Sequence, residues 1–177
     1  MVLTAALAGA HDARPVTVFA ARLMPQQEVA AVSSVASGTL RIRIDDAAQS
    51  ISYELTFQGM EGGTLQSHIH TGQVGVSGGI MVWLCGNVSV APNPVVTPPA
   101  GTQPCPQSGT VTGTLTPANV VGPAAQGIAP GEFAEVLAAI RNGVAYGNVH
   151  SVKFPAGEIR GQLVPERRGD HDGDHDD

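Results

Sequence analysis

Residues 38–59, GTLRIRIDDAAQSISYELTFQG, decide the fold class of this chain. Within them, residues 40–44 alternate aliphatic with arginine side chains, and residues 51–57 repeat the alternation with serine, glutamate and threonine. Side chains along a strand point alternately to opposite faces, so a period of two predicts two strands that each have one apolar face. The linker of residues 45–49 is short and polar, which favours an antiparallel hairpin.

Further segments with the same character predict the remaining strands. They are short, and turn-forming residues separate them. The chain shows no regular strand–helix–strand repetition, which argues against a parallel sheet. The further predicted strands are residues 16–23, 64–70, 80–84, 109–115, 144–150 and 157–164.

One helix is predicted over residues 131–142. Its apolar side chains follow the i, i+3, i+4, i+7 spacing of a helix face, and Asn142-Gly143 provides a typical helix stop. These apolar residues are Phe133, Val136, Leu137 and Ile140. Together the elements predict an all-β fold, an antiparallel Greek-key β-sandwich or barrel with one short helix inserted before the last two strands.

The composition suits a single domain of this kind. The chain has 177 residues, of which 22 are Gly and 13 are Pro, while only 14% are charged. This balance is typical of short strands joined by many turns. The formal net charge is −6, which is the opposite of the basic footprint of a nucleic-acid binder. We place the domain at residues 13–165.

The two ends of the chain differ from the domain between them. Residues 1–12 begin with a short apolar run that ends in small residues, which indicates the remainder of a signal peptide; a disordered apolar N-terminus is the alternative. Residues 166–177 contain a near-repeat of Gly-Asp-His-Asp and no apolar side chain, so we expect a disordered tail that either aids solubility or gathers metal weakly. No apolar run reaches the length of a membrane span. We therefore expect a secreted protein, periplasmic or extracellular.

Cys85 and Cys105 are the two cysteines of the chain. They bracket a segment rich in Pro, Asn and Gly, and in a secreted protein an even count favours a disulfide that closes this loop. Two unpaired buried thiols are the alternative. The spacing contains no CxxC pair, so a zinc site is poorly supported.

His68-Ile69-His70 is the most informative functional motif. Residues i and i+2 of a strand lie on one face, about 7 Å apart, so the two imidazoles can reach one metal ion. Leu65 and Ile69 share the opposite face, which predicts that the histidines point away from the core. The alternative is a structural pair that faces solvent or forms hydrogen bonds.

The last two predicted strands repeat this pattern. Tyr146 and His150 share one face of the first strand, and Glu158 and Arg160 share one face of the second. If the strands pair, His150 and Glu158 lie close together at one end of the sheet. His150 is then a candidate third ligand, and Glu158 is either a fourth ligand or a hydrogen-bond partner of a ligand histidine.

Other chemistries have little support in the sequence. There is no GxSxG motif, no phosphate-binding glycine motif, and neither cysteine has a histidine in a suggestive local setting. Few carboxylates are available for paired acid and base catalysis. Enzyme activity is therefore not the preferred interpretation.

Several motifs resemble the CHRD domain, which is named after chordin and also occurs in many secreted bacterial proteins. The resemblance spans residues 16–164. Its most specific parts are HIH at residues 68–70, NVH at 148–150 and PAGEIRGQ at 155–162. In chordin these domains belong to an extracellular antagonist of bone morphogenetic proteins. The resemblance thus implies a fold and an extracellular location, and no reaction.

A weaker similarity links the histidines to copper-zinc superoxide dismutases. Those enzymes carry an HxH pair on one strand of a sandwich and a Val-His pair on a later one, similar to His68, His70 and His150. This chain has no fourth histidine to bridge two metals, so the similarity implies a single copper-like site. Arg160 and Tyr146 are candidates to contact an anion or a ligand histidine.

Three functions follow from these residues. The preferred one is a secreted CHRD-domain protein that binds one transition metal ion through His68, His70 and His150, with copper favoured and zinc as the second choice. The second is a non-catalytic module that binds an extracellular protein, in which the histidines are structural. The third is a copper redox enzyme of the superoxide dismutase type.

Overall fold

A computed structural model describes residues 17–166. The predicted signal remnant at residues 1–12 and the tail from residue 167 onward lie outside the described residues. Within them the chain forms nine strands and one α-helix. The strands are β1 (Thr17–Leu23), β2 (Ser37–Asp45), β3 (Ser50–Gln58), β4 (Thr64–Thr71), β5 (Ile80–Gly86), β6 (Gly109–Leu115), β7 (Ala145–Ser151), β8 (Ile159–Gln162) and β9 (Val164–Pro165), and the helix is α1 (Phe133–Arg141).

Two sheets pack face to face. The five-stranded sheet has the order β6-β3-β2-β1-β9, and the four-stranded sheet has the order β5-β4-β7-β8. Every strand pair is antiparallel, and the chain crosses between the sheets after β3, β5, β6 and β8. The predicted antiparallel β-sandwich, with one helix before the last strands, is confirmed.

The hairpin predicted from residues 38–59 forms the centre of the five-stranded sheet. Leu40 lies opposite Leu55 and Ile44 lies opposite Ile51, and all four side chains are fully buried. Their apolar faces meet side chains of the second sheet, because burial of apolar surface is the main driving force for closing a sandwich. The core includes Phe19, Leu23, Ile42, Phe57, Ile69, Leu84, Val149 and Ile159.

The prediction of a single final strand at residues 157–164 is wrong in one respect. The structure divides it into β8 in the four-stranded sheet and β9 in the five-stranded sheet. Leu163 lies between them, is fully buried, and donates its backbone N–H to Ala145 O at 2.9 Å. The chain therefore passes through the core at Leu163, and β9 pairs with β1 at Phe19 and Ala20.

The two sheets approach each other closely where β8 passes β1. A Cβ atom at Gly161 would lie 2.3 Å from the backbone oxygen of Arg22. Only a residue without a side chain fits at that distance. This contact brings β8, and with it Arg160, to the position that it occupies beside the candidate site.

The predicted helix and disulfide are both present. The helix α1 buries Phe133, Val136, Leu137 and Ile140, as its spacing predicts. Cys85 and Cys105 are bonded, with an S–S distance of 2.04 Å. Among the described residues, no helix has the length and apolar character that a membrane crossing requires.

Candidate metal centre

The three histidines lie on the face of the four-stranded sheet that points away from the core. Ile69 and Val149 project into the core from β4 and β7, so their neighbours along each strand project to the other side. His68 and His70 come from β4 and His150 from β7. The predicted orientation of the pair is therefore confirmed.

Pairing between β4 and β7 brings the third histidine to the pair. His150 lies opposite Gln66, two residues before His68 on the same face of β4. Diagonal neighbours of this kind are within reach of one another across an antiparallel pair. The structure thus brings together His68, His70 and His150, as the sequence predicts.

The histidine nitrogens converge on a small volume. One potential ligand atom from each residue lies within 4.8 Å of the other two. Nδ1 of His68 is 3.2 Å from Nε2 of His150. At this distance His68 Nδ1 donates a hydrogen bond to Nε2 of His150, because the His150 ring carries its own proton on Nδ1; the lone pair of His68 therefore lies on Nε2.

The cluster is buried rather than solvent-facing. The exposed fractions of His68, His70 and His150 are 0%, 7% and 6%. The Trp83 ring packs edge-on against His68 at 4.2 Å between centroids, and the Tyr146 ring stacks parallel to His70 at 4.8 Å. Aromatic side chains therefore form two walls of the site.

Backbone carbonyls orient two of the imidazoles. His70 Nδ1 donates to Gly78 O at 2.9 Å, and His150 Nδ1 donates to Pro155 O at 3.0 Å. A carbonyl can only accept, so the proton of each neutral ring lies on Nδ1 and the lone pair lies on Nε2. Hydrogen bonds of this kind are typical of histidines that bind metal through the other nitrogen.

Two imidazole nitrogens have no hydrogen-bond partner. They are Nε2 of His68 and Nε2 of His70, and both are buried. An unpaired buried polar atom costs about 1–3 kcal/mol, and such atoms are rare in native proteins. A metal ion bound by these nitrogens would remove that cost, so the donor set fits a transition metal.

Burial keeps the histidines neutral. It lowers the pKa of His68 well below its ordinary value, and the neighbouring His150 and His70 lower it further. Burial also lowers the pKa of His70, although the hydrogen bond to Gly78 offsets part of the effect. For His150, burial and then the nearby His70 lower the pKa to about 4. Each ring therefore keeps one unprotonated nitrogen at neutral pH.

Glu158 lies next to the site in sequence register, but its carboxylate has other partners. It is fully buried, accepts a hydrogen bond from Ser34 Oγ at 2.6 Å, and accepts the backbone N–H of Glu61 at 3.1 Å. The group of converging ligand atoms contains the three histidines and does not include Glu158. The carboxylate instead ties two loops to the start of β8.

Arg160 and Tyr146 stack beside the histidines. The Arg160 guanidinium lies 3.4 Å from the Tyr146 ring centroid, and that ring stacks on His70. Arg160 is 2% exposed and donates to the backbone oxygens of Gln73 and Val76. Arg160 and Tyr146 therefore form one stack with His70, and a contact between Arg160 and an anion stays a prediction.

Sequence reasoning missed two side chains at the site. Asn148 lies between Tyr146 and His150 on the outward face of β7, and its Oδ1 is 3.0 Å from His150 Nε2. Its position two residues from both Tyr146 and His150 places it on their face of the strand, which was a usable signal in the sequence. Trp83 had no such signal, because a register shift between Ser67 and His68 sets it opposite His68.

Comparison with known proteins identifies the family. The family model described as the CHRD domain matches residues 19–163, which is most of the chain and nearly all of the described sandwich. Neither the curated proteins nor the solved structures contain a match. The matched segment includes the HIH, NVH and PAGEIRGQ motifs. This chain therefore belongs to the CHRD domain family.

Proposed function

We propose that this protein is a secreted CHRD-domain protein that binds a single transition metal ion through His68, His70 and His150. Copper is the favoured ion, because imidazole is a good copper ligand and copper leads the divalent first-row metals in affinity for nitrogen donors. Zinc is the second choice. The observation that carries the proposal is the pair of buried, unpartnered Nε2 atoms on His68 and His70.

The site has the features of a preorganised ligand set. Two of its imidazoles are oriented by the carbonyls of Gly78 and Pro155, and all three side chains project from paired strands. Ligands held on rigid strands lose little conformational entropy when an ion binds. Low pKa values mean that few protons compete with the ion at neutral pH.

The extracellular part of the proposal rests on different observations. CHRD domains are extracellular, and the disulfide between Cys85 and Cys105 suits an oxidising compartment. Secretion itself rests on the apolar segment of residues 1–12, whose signal-peptide character is a prediction.

Metal titration tests the proposal directly. The protein should carry His11→Asn, His171→Asn and His175→Asn, so that the three site histidines are the remaining ones of the six in the chain. We call this protein the three-histidine background. It should bind one equivalent of copper in isothermal titration. His68→Asn and His150→Asn should each lower the affinity more than about 100-fold, since even loss of an outer hydrogen-bond partner costs 10–100-fold.

Gln66→Asn is the matched control for these variants. Gln66 is on the same face of β4 and lies opposite His150, but it offers no imidazole. Its replacement should leave the stoichiometry at one ion. Unchanged affinity in both histidine variants would refute the proposed site.

Trp83 supplies a second readout. It is the one tryptophan of the chain, and its ring is 4.2 Å from that of His68. Cu(II), which has an unpaired electron, should quench its fluorescence at one equivalent, whereas Zn(II) should quench far less. Titration without quenching would place the ion elsewhere.

A non-catalytic interaction module is the second candidate. The hydrogen bonds from His70 to Gly78 and from His150 to Pro155 favour it, because they tie two loops to the sheet. This function predicts no stoichiometric metal in the three-histidine background, and partner binding that a chelator leaves unchanged. A dismutase-type enzyme would instead show superoxide turnover that disappears when the metal is removed.

A further inference from the structure

We infer that the three-histidine site selects copper in its monovalent state, Cu(I), over Cu(II) and Zn(II). The inference rests on the proposed metal site and concerns the charge that this site tolerates. Its basis is the combination of neutral ligands, deep burial and a fixed positive charge next to one ligand.

The ligand set carries no negative charge. The converging donors are three imidazoles, and no carboxylate or thiolate of residues 17–166 joins them. The carboxylate that the sequence predicts beside His150, that of Glu158, accepts hydrogen bonds from Ser34 and Glu61 instead. Both cysteines are consumed in the disulfide. A bound ion would therefore keep its full charge.

Burial raises the free-energy cost of holding a charged ion at this site. The three rings are at most 7% exposed, and aromatic rings cover them on two sides. The free-energy cost of moving an ion out of water rises with the square of its charge. This desolvation penalty is therefore about four times as large for a divalent ion as for a monovalent one. Without an anionic ligand to offset this penalty, the site favours the ion of lower charge.

Arg160 adds a positive charge close to His70, one of the three proposed ligands. Its guanidinium stacks on Tyr146, which stacks on His70, and Arg160 is 2% exposed. Its hydrogen bonds go to backbone oxygens, and it forms no salt bridge among the described residues. Glu28 lines the same cleft, but burial raises its pKa to about 7, so its carboxyl group offsets the charge of Arg160 only in part at neutral pH. Charges buried in this way are poorly screened by salt. Arg160 therefore repels a divalent ion more strongly than a monovalent one.

The number of donors agrees with this preference. Three converging nitrogens satisfy the low coordination numbers that Cu(I) accepts, whereas Zn(II) held by three histidines takes a water molecule or another group as its fourth ligand. Asn148 is the further polar side chain in contact with the cluster, and its carboxamide is also neutral. A fourth ligand from that position would leave the charge argument unchanged.

Competition with chelators tests the inference. In the three-histidine background, Cu(I) affinity is measured without oxygen in the presence of ascorbate, and Cu(II) and Zn(II) affinities are measured in parallel. We expect Cu(I) to bind at least about 100-fold more tightly than either divalent ion. Equal or tighter binding of Cu(II) or Zn(II) overturns the inference and leaves the proposed metal site intact. Failure of all three ions to bind at one equivalent refutes the proposed function itself.

Substitution of Arg160 tests the role of its charge. Arg160→Gln should reduce the ratio of Cu(I) affinity to Cu(II) affinity, the affinity gap, by roughly tenfold, as expected for one buried charge at this range. Arg160→Lys keeps the charge and should retain the gap. Arg22→Gln, at an exposed position of β1, is the control and should leave both affinities unchanged. An unchanged gap in a folded Arg160→Gln protein would show that Arg160 does not contribute.

Discussion

Glu28 is an acidic residue with an unusual environment. It lines a cleft of about 240 Å³ together with Arg160 and Gln162. Burial raises its pKa to about 7, although the charge of Arg160 and a backbone hydrogen bond at Val29 oppose the shift. One carboxyl oxygen, Oε1, has no hydrogen-bond partner, and a Cβ at Gly157 would lie 2.4 Å from it. Gly157, the first of the two glycines in the PAGEIRGQ motif, thus leaves room for this carboxyl group.

Glu28→Gln should alter how stability depends on pH. Between pH 4.5 and about 7 the unfolded chain has lost the Glu28 proton while the folded chain retains it, so the native protein loses stability as pH rises through this window. The variant lacks this pH-dependent contribution to the free energy of unfolding. At pH 8 it should be more stable than the parent by about 1–2 kcal/mol, a value discounted for the remaining solvent contact.

Urea denaturation at pH 5 and pH 8 measures this effect. Glu135→Gln removes the same charge from an exposed position on α1 and serves as the control. If the parent and Glu28→Gln respond equally to the change in pH, the carboxyl group of Glu28 is not the source.

At the scale of residues, the three histidines of the candidate site were more predictable than their surroundings. Alternation predicted that His68 and His70 on one strand and His150 on another each point away from the core, while the pairing of β4 with β7 brings them together. Burial of these rings depends on Trp83 and on the loop that carries Gly78, which reach the site through register shifts and loop folding. Such contacts join residues distant in sequence and leave no periodic signal.

At the scale of elements, the crossing of β1 and β8 is the tightest constraint. Gly161→Ala should destabilise the protein by about 2–3 kcal/mol, because its Cβ would meet the backbone oxygen of Arg22 at 2.3 Å and neither strand can move freely. Thermal or urea unfolding checks the prediction.

Gly147→Ala provides the comparison. Its Cβ would lie 2.6 Å from Cδ2 of Leu40, the end of a flexible side chain that can turn aside. The expected cost is about 1 kcal/mol. Equal losses in the two variants would contradict a backbone clash at Gly161.

Element positions followed closely from the sequence, with one exception. The period of two in residues 40–44 and 51–57 identified β2 and β3, and the helical spacing identified α1. The division between β8 and β9 was not predictable, because Leu163 continues the apolar alternation of β8 while the chain changes sheets. Periodicity reports which side chains are buried, and it cannot report which sheet buries them.

At the scale of the whole molecule, opposing titrations should set a stability maximum. Below pH 6.5 the unfolded chain takes up protons at three histidines that stay neutral in the folded protein, so stability falls as pH falls toward 4. Glu28 acts in the opposite direction below about pH 7, but it is a single group. The metal-free protein should therefore gain stability as pH rises from 4 to about 7 and be most stable above pH 7.

Urea midpoints of the metal-free protein from pH 4 to pH 9 test this expectation. The three-histidine background keeps the site and removes the titration of the other imidazoles. A midpoint that rises steadily down to pH 5 would contradict the buried, neutral state of the site histidines.

The pairing of β9 with β1 has a consequence for solubility. Val164 and Pro165 pair with Ala20 and Phe19, the backbone N–H of Glu166 donates to Val18 O, and its carboxylate binds Arg41. An uncovered β1 would present a row of free N–H and C=O groups, which is a template for strand addition between molecules. Proline cannot donate to a further strand, so β9 itself is a poor template. Residues 164–166 thus protect the sandwich against aggregation, and a cleavage after Leu163 would remove that protection while leaving His68, His70 and His150 in the remaining chain.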